Sequence, residues 1–461
     1  MVCFPGQGNY DRLYACTDAA GQALLYRSRS RAAPFLLEVN CDPARLGLVG
    51  YPTARRYAAV PLCQHLLGYL DSTGHGAAGL EKALDTELSG TGENSSLVCA
   101  VTAQGTLRTG ETARLLQADS GALGVQLTIS RPVQRAVEAV AASTMTNGCI
   151  LVLDTATAAV RASVSVPGYD PEHLADSLQA ENSPFLNRAL QSYAVGSVFK
   201  PVLAAAALEA GLQPVFECTG AVVVDGQIFR CAGGVPHGQV DLAAALEKSC
   251  NGYFIRLGQQ LGAESLLDAA KDFGFGRSLP LAEGLAAEAG QLPTLQELAQ
   301  SGQLANFSFG QGSLLATPMQ VAALFNTLAA DGVYRVPYVL QATLDETTGQ
   351  PVETLSHPRG RRVIPAQNAA LLRAMLVQVV QQGTAQDAAG LSGGAGGKTG
   401  TAQTGQFTPE GTERCNLWFA GFWPAEKPRY TIVVLQDGAI HTAYSGAAIF
   451  AQVCNALEAA G

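Results

Sequence analysis

Tyr193-Ala-Val-Gly196-Ser197-Val198-Phe199-Lys200-Pro201 is the stretch on which the reading of this chain turns. Ser197 opens a helical run: Phe199, Leu203, Ala206, Ala207 and Leu208 fall on one side, and Gly211 closes it. Pro201 falls in the first turn, where its missing N–H costs least. A serine with a lysine three residues on places a hydroxyl and an amine on adjacent positions of one helical face. The helix N-terminus favours developing negative charge on the serine oxygen. A lysine that is desolvated and crowded by other cations loses its proton and can act as the base. By itself, S-x-x-K is common by chance and equally describes a capped surface helix.

Two later motifs change that. In Ser249-Cys250-Asn251, the serine hydroxyl can relay a proton between a lysine and a leaving amine. Asn251, read as lying on a loop, can hydrogen-bond a substrate amide. Lys398-Thr399-Gly400-Thr401 begins a strand in which Thr399 and Thr401 share a face, so two hydroxyls can hold one carboxylate. Gly400 is expected to let a substrate backbone lie close alongside, and Lys398 supplies positive charge for an anionic substrate and the proton path. Each motif is weak alone. In the order S-x-x-K, S-x-N, K-T-G they form the signature of penicillin-binding proteins and serine β-lactamases.

The whole chain is consistent with such an enzyme. At 461 residues it exceeds one ordinary core and suggests two or three domains. A hydrophobic content of 48% and a charged content of 15% describe a folded globular protein. A net charge of −9 argues against nucleic acid as a partner, because phosphates demand a basic face. No window offers the ~20 consecutive apolar residues of a membrane span, and Met1 to Tyr10 lacks the features of a signal peptide.

The first 122 residues show no clear period, apart from helical spacing of Leu80, Ala83, Leu84 and Leu88. From Leu123 the pattern sharpens. A strand at Val125 to Ile129 and a helix at Val133 to Ala142 precede two strands, Cys149 to Leu153 and Val160 to Val166. Three more strand-like runs begin at Lys398, Leu417 and Tyr430, and a final helix covers Ser445 to Leu457. Strands and helices in separate runs, without βαβ alternation, predict an α+β fold with an antiparallel sheet flanked by helices.

On these residues the chain resembles a class B penicillin-binding protein, a peptidoglycan D,D-transpeptidase. The resemblance runs from residue 124 to 461. It includes Pro167-Gly-Tyr-Asp-Pro171, Asn187-Arg-Ala189 with Tyr193 and Gly196, Gly310-Gln-Gly312, Thr317-Pro-Met-Gln320 and Trp418-Phe-Ala-Gly-Phe422. Val195 stands where family members often have proline. The resemblance implies a transpeptidase domain at 123–461 behind a smaller non-catalytic pedestal domain at 1–122, to which Tyr51-Pro52, Gly79-Leu-Glu81 and Leu88-Ser-Gly90 would belong. It also implies a ping-pong acyl transfer. Ser197 attacks the carbonyl of a D-Ala-D-Ala stem peptide with Lys200 as general base, and Ser249 passes the proton to the departing D-alanine. The backbone N–H groups of Ser197 and Thr401 form the oxyanion hole. An amine from a neighbouring stem peptide takes the acyl group, and β-lactams trap the acyl-enzyme. Catalysis needs no cofactor. The setting implied is the extracytoplasmic face of the cell membrane, with a glycosyltransferase as a partner. The N-terminal membrane anchor usual in the family is absent from this chain. Other readings of the same motifs are a serine β-lactamase, a non-catalytic β-lactam sensor domain and a D,D-carboxypeptidase.

Of the eleven cysteines, most are isolated and read as small buried hydrophobes. Cys218, Cys231, His237 and Cys250 are different, because they cluster in sequence around Val222-Val-Val-Asp-Gly-Gln-Ile-Phe229, a hairpin with an Asp225-Gly226 turn. If Val224 pairs with Gln227, Gly220 reaches the level of Cys231 and Cys218 sits diagonally from it. Diagonal neighbours are roughly 7–8 Å apart, too far for an unstrained disulfide of about 5.5 Å Cα separation. Zinc would bridge that gap, and three thiolates with one imidazole form a complete structural set. The expectation is a closed Cys₃His zinc site in which Cys250 fixes the Ser249/Asn251 loop. Three buried thiols beside a hairpin histidine are the alternative.

Overall fold

The computed structural model describes residues 2–3, 10–28, 35–37, 39, 56–57, 60–71, 73–90, 96–100, 102–103, 108, 114–116 and 120–460 except 347. They fall into two compact units, Met1–Val60 with Ser89–Ala122, and Pro61–Leu88 with Leu123–Gly461.

In the first unit Ala19–Arg27 is a helix whose N-terminus is capped by the Asp18 carboxylate, which accepts from the Gly21 N–H at 2.9 Å. Leu13, Leu25 and Leu37 form its small buried cluster. Tyr51-Pro52 lie outside the described residues.

The second unit is built on strands β1 (Gly148–Asp154), β2 (Val160–Val166), β3 (Gly396–Phe407), β4 (Glu413–Trp423) and β5 (Tyr430–Ala439). They form one antiparallel sheet in the order β3-β4-β5-β1-β2. Its helices include α1 (Arg131–Thr144), α2 (Lys200–Glu209), α3 (Leu242–Glu247), α4 (Asn251–Leu261), α5 (Pro318–Ala329), α6 (Ala366–Gln381) and α7 (Gly446–Ala459). This is the expected α+β arrangement.

Both faces of the sheet are covered. Phe419 of β4 meets Phe450 of α7, with ring centroids 4.7 Å apart. Side chains alternate across a strand, so Trp418 and Phe422 point the other way. On that second face Thr431, the partner of Phe422 in register, donates to Asn326 of α5 at 3.0 Å. Burial from both sides explains why Cys149 to Leu153 is an unbroken apolar run and not an alternating one.

The domain boundary differs from expectation. Pro61–Leu88 packs with the sheet-bearing unit, so Gly79-Leu-Glu81 and Leu88 do not belong to the N-terminal unit. The physical reason is shared burial: Cys63, Leu66, Leu80 and Leu84 join the main core. The Tyr169 hydroxyl donates to Gln64 O at 2.9 Å and the Asn187 amide to His65 O at 3.1 Å. A unit assembled from two separated pieces of chain has no boundary that a local pattern can mark.

Arg188 is only 2% exposed and ties the loop before the nucleophile to the sheet. Its guanidinium donates to Asp437 Oδ2 on β5 at 3.0 Å and to the carbonyls of Ser183 at 3.3 Å and Asn182 at 2.5 Å. Both of those residues have positive φ, a conformation that needs such support. Arg188→Ala is expected to cost about 3 kcal/mol, the low end for removing one partner of a buried pair, because Asp437 keeps 22% exposure. Thermal melting checks this; an unchanged melting temperature would show that the pair is dispensable.

Candidate active site

Ser197 lies in a tight 3₁₀ turn, Gly196–Phe199, that runs into α2 at Lys200. The α-helix proper therefore starts at the lysine, three residues later than the sequence pattern suggests. Two glycines explain how the turn is held. Gly196 has φ +65°, and a Cβ on it would sit 2.6 Å from Thr401 O. Its N–H donates to Gly310 O at 2.8 Å, and a Cβ on Gly310 would fall 2.0 Å from Gly196 O. Phe199 anchors the turn from below in T-shaped contact with Phe275 and tilted contact with Phe307, each pair adding about 0.5–1.5 kcal/mol beyond burial.

β3 lies directly against this turn. A Cβ on Gly400 would meet Val198 Cγ1 at 3.0 Å, Val195 O at 3.1 Å and Val198 N at 3.2 Å. Gly400 thus makes room for the nucleophile turn. The Trp418 indole N–H, from the neighbouring strand, donates to Ala194 O at 3.0 Å and fixes the approach to Ser197.

Lys200 is fully buried. Its Nζ donates to Ser249 O at 2.8 Å, Ser249 Oγ at 3.1 Å and Asn251 Oδ1 at 2.7 Å, and lies 5.4 Å from the centre of the Phe254 ring. Burial lowers its pKa from the ordinary lysine value to about 7. Lys398 is also fully buried, and burial together with the nearby Lys200 charge holds it well below the usual range. Among the described residues no carboxylate is hydrogen-bonded to either amine.

Ser249 adopts a left-handed conformation, φ +53°, between α3 and α4. That kink turns its side chain to Lys200 and lets the Cys250 sulfur accept from Tyr253 N at 3.4 Å. Asn251 is the first residue of α4 and not part of a loop. Its amide is engaged on both sides, accepting from Lys200 and donating to Arg230 O at 2.9 Å.

On β3, Lys398 and Gly400 are buried while Thr399 and Thr401 share the other, more open face. Lys398 Nζ donates to Thr399 O at 3.1 Å and to Thr399 Oγ1 at 3.4 Å. Two residues to which the sequence reading gave no role in the site join it. Gln311 donates to Thr401 O at 3.4 Å, and Thr384 places its hydroxyl 2.7 Å from that of Thr399. Gln311 stands inside the Gly310-Gln-Gly312 motif; nothing around Thr384 marks it.

Beside this centre the structure gathers Cys218, Cys231, His237 and Cys250, with ligand atoms all within 4.8 Å of one another. The hairpin has the expected register, Val224 opposite Gln227, and Cys231 N donates to Gly220 O at 2.9 Å. Cys218 Sγ lies 3.7 Å from Cys231 Sγ and 3.4 Å from His237 Nδ1, and Cys231 Sγ lies 3.9 Å from Cys250 Sγ.

Residues 148–457 match the family model for the penicillin-binding protein transpeptidase domain. The chain belongs to that family. It is 31% identical to the peptidoglycan D,D-transpeptidase PbpA of Mycolicibacterium smegmatis, over 98% of this chain and 89% of the relative. Among solved structures it is similar to the D,D-transpeptidase domain of a peptidoglycan glycosyltransferase from Eggerthella lenta, with a TM-score of 0.73, 26% identity and coverage of 88% of this chain and 93% of that one. It is likewise similar to penicillin-binding protein A from M. tuberculosis as a ceftriaxone acyl-enzyme complex, with a TM-score of 0.66, 28% identity and coverage of 74% and 80%.

If Lys200 is the base that the motif order implies, its protonation state sets the pH at which Ser197 reacts. With its pKa lowered to about 7, the amine is mostly protonated below that pH and mostly neutral above it. Acylation by a penicillin should therefore rise as pH passes upward through about 7 and then level off. A rate constant that is flat or falling across neutral pH would exclude Lys200 as the base.

Proposed function

We propose that this chain is a peptidoglycan D,D-transpeptidase that works through a Ser197 acyl-enzyme. The reading is carried by one observation: a buried lysine amine, with no carboxylate bonded to it among the described residues, hydrogen-bonds the middle-motif serine and asparagine at the foot of a nucleophile turn pressed against the K-T-G strand.

The donor stem peptide lies along the open edge of β3, which ends the sheet and can pair with an extended backbone. Neutral Lys200 takes the Ser197 proton as Oγ attacks the carbonyl of the penultimate D-alanine. The N–H groups of Ser197 and Thr401 receive the oxyanion. The proton moves through Ser249 to the leaving D-alanine nitrogen, Lys200 returns to its neutral state, and the ester remains. An acceptor amine then attacks the ester, its proton returning by the same route, and Ser197 is released. Water in place of the amine gives carboxypeptidase hydrolysis. A β-lactam acylates Ser197 and keeps its leaving group tethered. Thr399 and Thr401 hold the terminal carboxylate of either ligand. This activity belongs on the extracytoplasmic side of the membrane, with a glycosyltransferase supplying the glycan strands.

Fluorescent penicillin should label the wild type at Ser197, found by digestion and mapping, and leave Ser197→Ala unlabelled. A stem-peptide or thioester donor should yield transfer product with an added amine. Equal labelling of the two proteins would overturn the assignment of the nucleophile. Rapid turnover of the β-lactam would point to a β-lactamase, and labelling without transfer to a sensor.

The thiol and imidazole cluster supports a structural zinc ion. A tetrahedral ion with Zn–S of about 2.3 Å and Zn–N of about 2.0 Å sets ligand atoms about 3.5–3.8 Å apart. The 3.7, 3.9 and 3.4 Å separations fall close to those edges. Zinc here would clamp the Cys218 strand and the hairpin to Cys250, and so fix Ser249 and Asn251 on either side of it. Protein purified without added metal is expected to carry about one zinc per chain by elemental analysis. Less than about a tenth of an equivalent, with all four thiol and imidazole groups reactive, would leave only a buried thiol cluster.

A further inference from the structure

Thr384 follows α6 and takes no part in the three motifs, yet it connects two of them. Its backbone N–H donates to Glu247 O at 3.3 Å, at the end of α3 and two residues before Ser249. The preceding Gly383 is pressed onto the same place: a Cβ there would lie 2.5 Å from Glu247 O and 2.9 Å from Val379 O. Residues 383–384 therefore have one position available against the S-x-N side. From there the Thr384 hydroxyl, exposed to solvent, reaches Thr399 Oγ1 on β3 at 2.7 Å.

The hydrogen-bond inventory of Thr399 makes this contact directional. A threonine hydroxyl has one proton to donate and two lone pairs. Lys398 Nζ donates to Thr399 Oγ1 at 3.4 Å, which takes one of that oxygen's lone pairs. If Thr399 gave its proton to Thr384, a carboxylate arriving at the strand edge would meet lone pairs. If Thr384 donates, both lone pairs of Thr399 are filled and its proton is left for the ligand. An anion in the site selects the second arrangement, and the chain Thr384 O–H to Thr399 O–H to carboxylate strengthens each link.

We infer that Thr384 is a positioning residue for the substrate carboxylate, donating to Thr399 so that the Thr399 proton points at the terminal carboxylate of the donor peptide or β-lactam. The inference rests on the transpeptidase reading above and adds a residue to its specificity for anionic ligands. Thr384 touches no reacting atom and acts through Thr399.

Second-order acylation constants for wild type, T384V and T384S, each with benzylpenicillin and with its methyl ester, provide the test. Measurable acylation of the wild type by benzylpenicillin establishes the underlying reading first, so its failure is seen separately. T384V keeps the shape and loses the hydroxyl. It should slow benzylpenicillin about tenfold, as expected for one misdirected hydrogen bond to a charged group. The ester, which offers no carboxylate, should change by less than about twofold, and T384S should restore the wild-type preference. Comparing acid with ester inside each variant cancels any shared loss of folded enzyme. Equal slowing of acid and ester by T384V would mean that residues 383–384 merely brace the site. No slowing of either, or a T384S variant that behaves like T384V, would also overturn the inference.

Discussion

A lysine amine buried without a bonded carboxylate is the constraint around which this molecule is arranged. Placing Lys200 in the core costs several kcal/mol if the group stays charged. Burial answers by pulling its pKa down to about 7, and hydrogen bonds to Ser249 and Asn251 satisfy the donors that remain. A carboxylate in the same place would lower the desolvation cost but restore the proton and remove the base. Among the described residues neither Lys200 nor Lys398 has one hydrogen-bonded to it.

Much of the backbone serves that arrangement. Ser249 accepts a left-handed conformation so that α3 and α4 can present its carbonyl and hydroxyl to the same amine. Gly196, Gly310 and Gly400 allow three backbone segments to approach to distances no side chain would permit. The sheet supplies the rigid floor: Trp418 holds Ala194, and Arg188 holds the loop before it to Asp437. A site fixed from strands and helix starts keeps its geometry better than one built on loops alone.

The Cys218, Cys231, His237 and Cys250 cluster and Thr384 adjoin the same centre at two places. One adjoins Ser249 and Asn251 through Cys250; the other spans from Glu247 to Thr399.

The sequence by itself determined the family and the fold class. Ser197, Lys200, Ser249, Asn251, Lys398 and Thr399 could be named as candidates because each belongs to a short pattern whose order is informative, and the sheet strands because their apolar runs are long. The Val222–Phe229 hairpin was legible for a similar reason, since a two-residue turn dictates register locally. Tertiary structure alone decided the rest. Gly400 answers to Val195 and Val198, Asn251 to Lys200 and Arg230, and Thr384 to Thr399, all through contacts between distant segments. The placement of Pro61–Leu88 in the catalytic unit is of the same kind. Local patterns report periodicity and turn chemistry; which glycine faces which carbonyl is settled only when separated pieces of chain share one core.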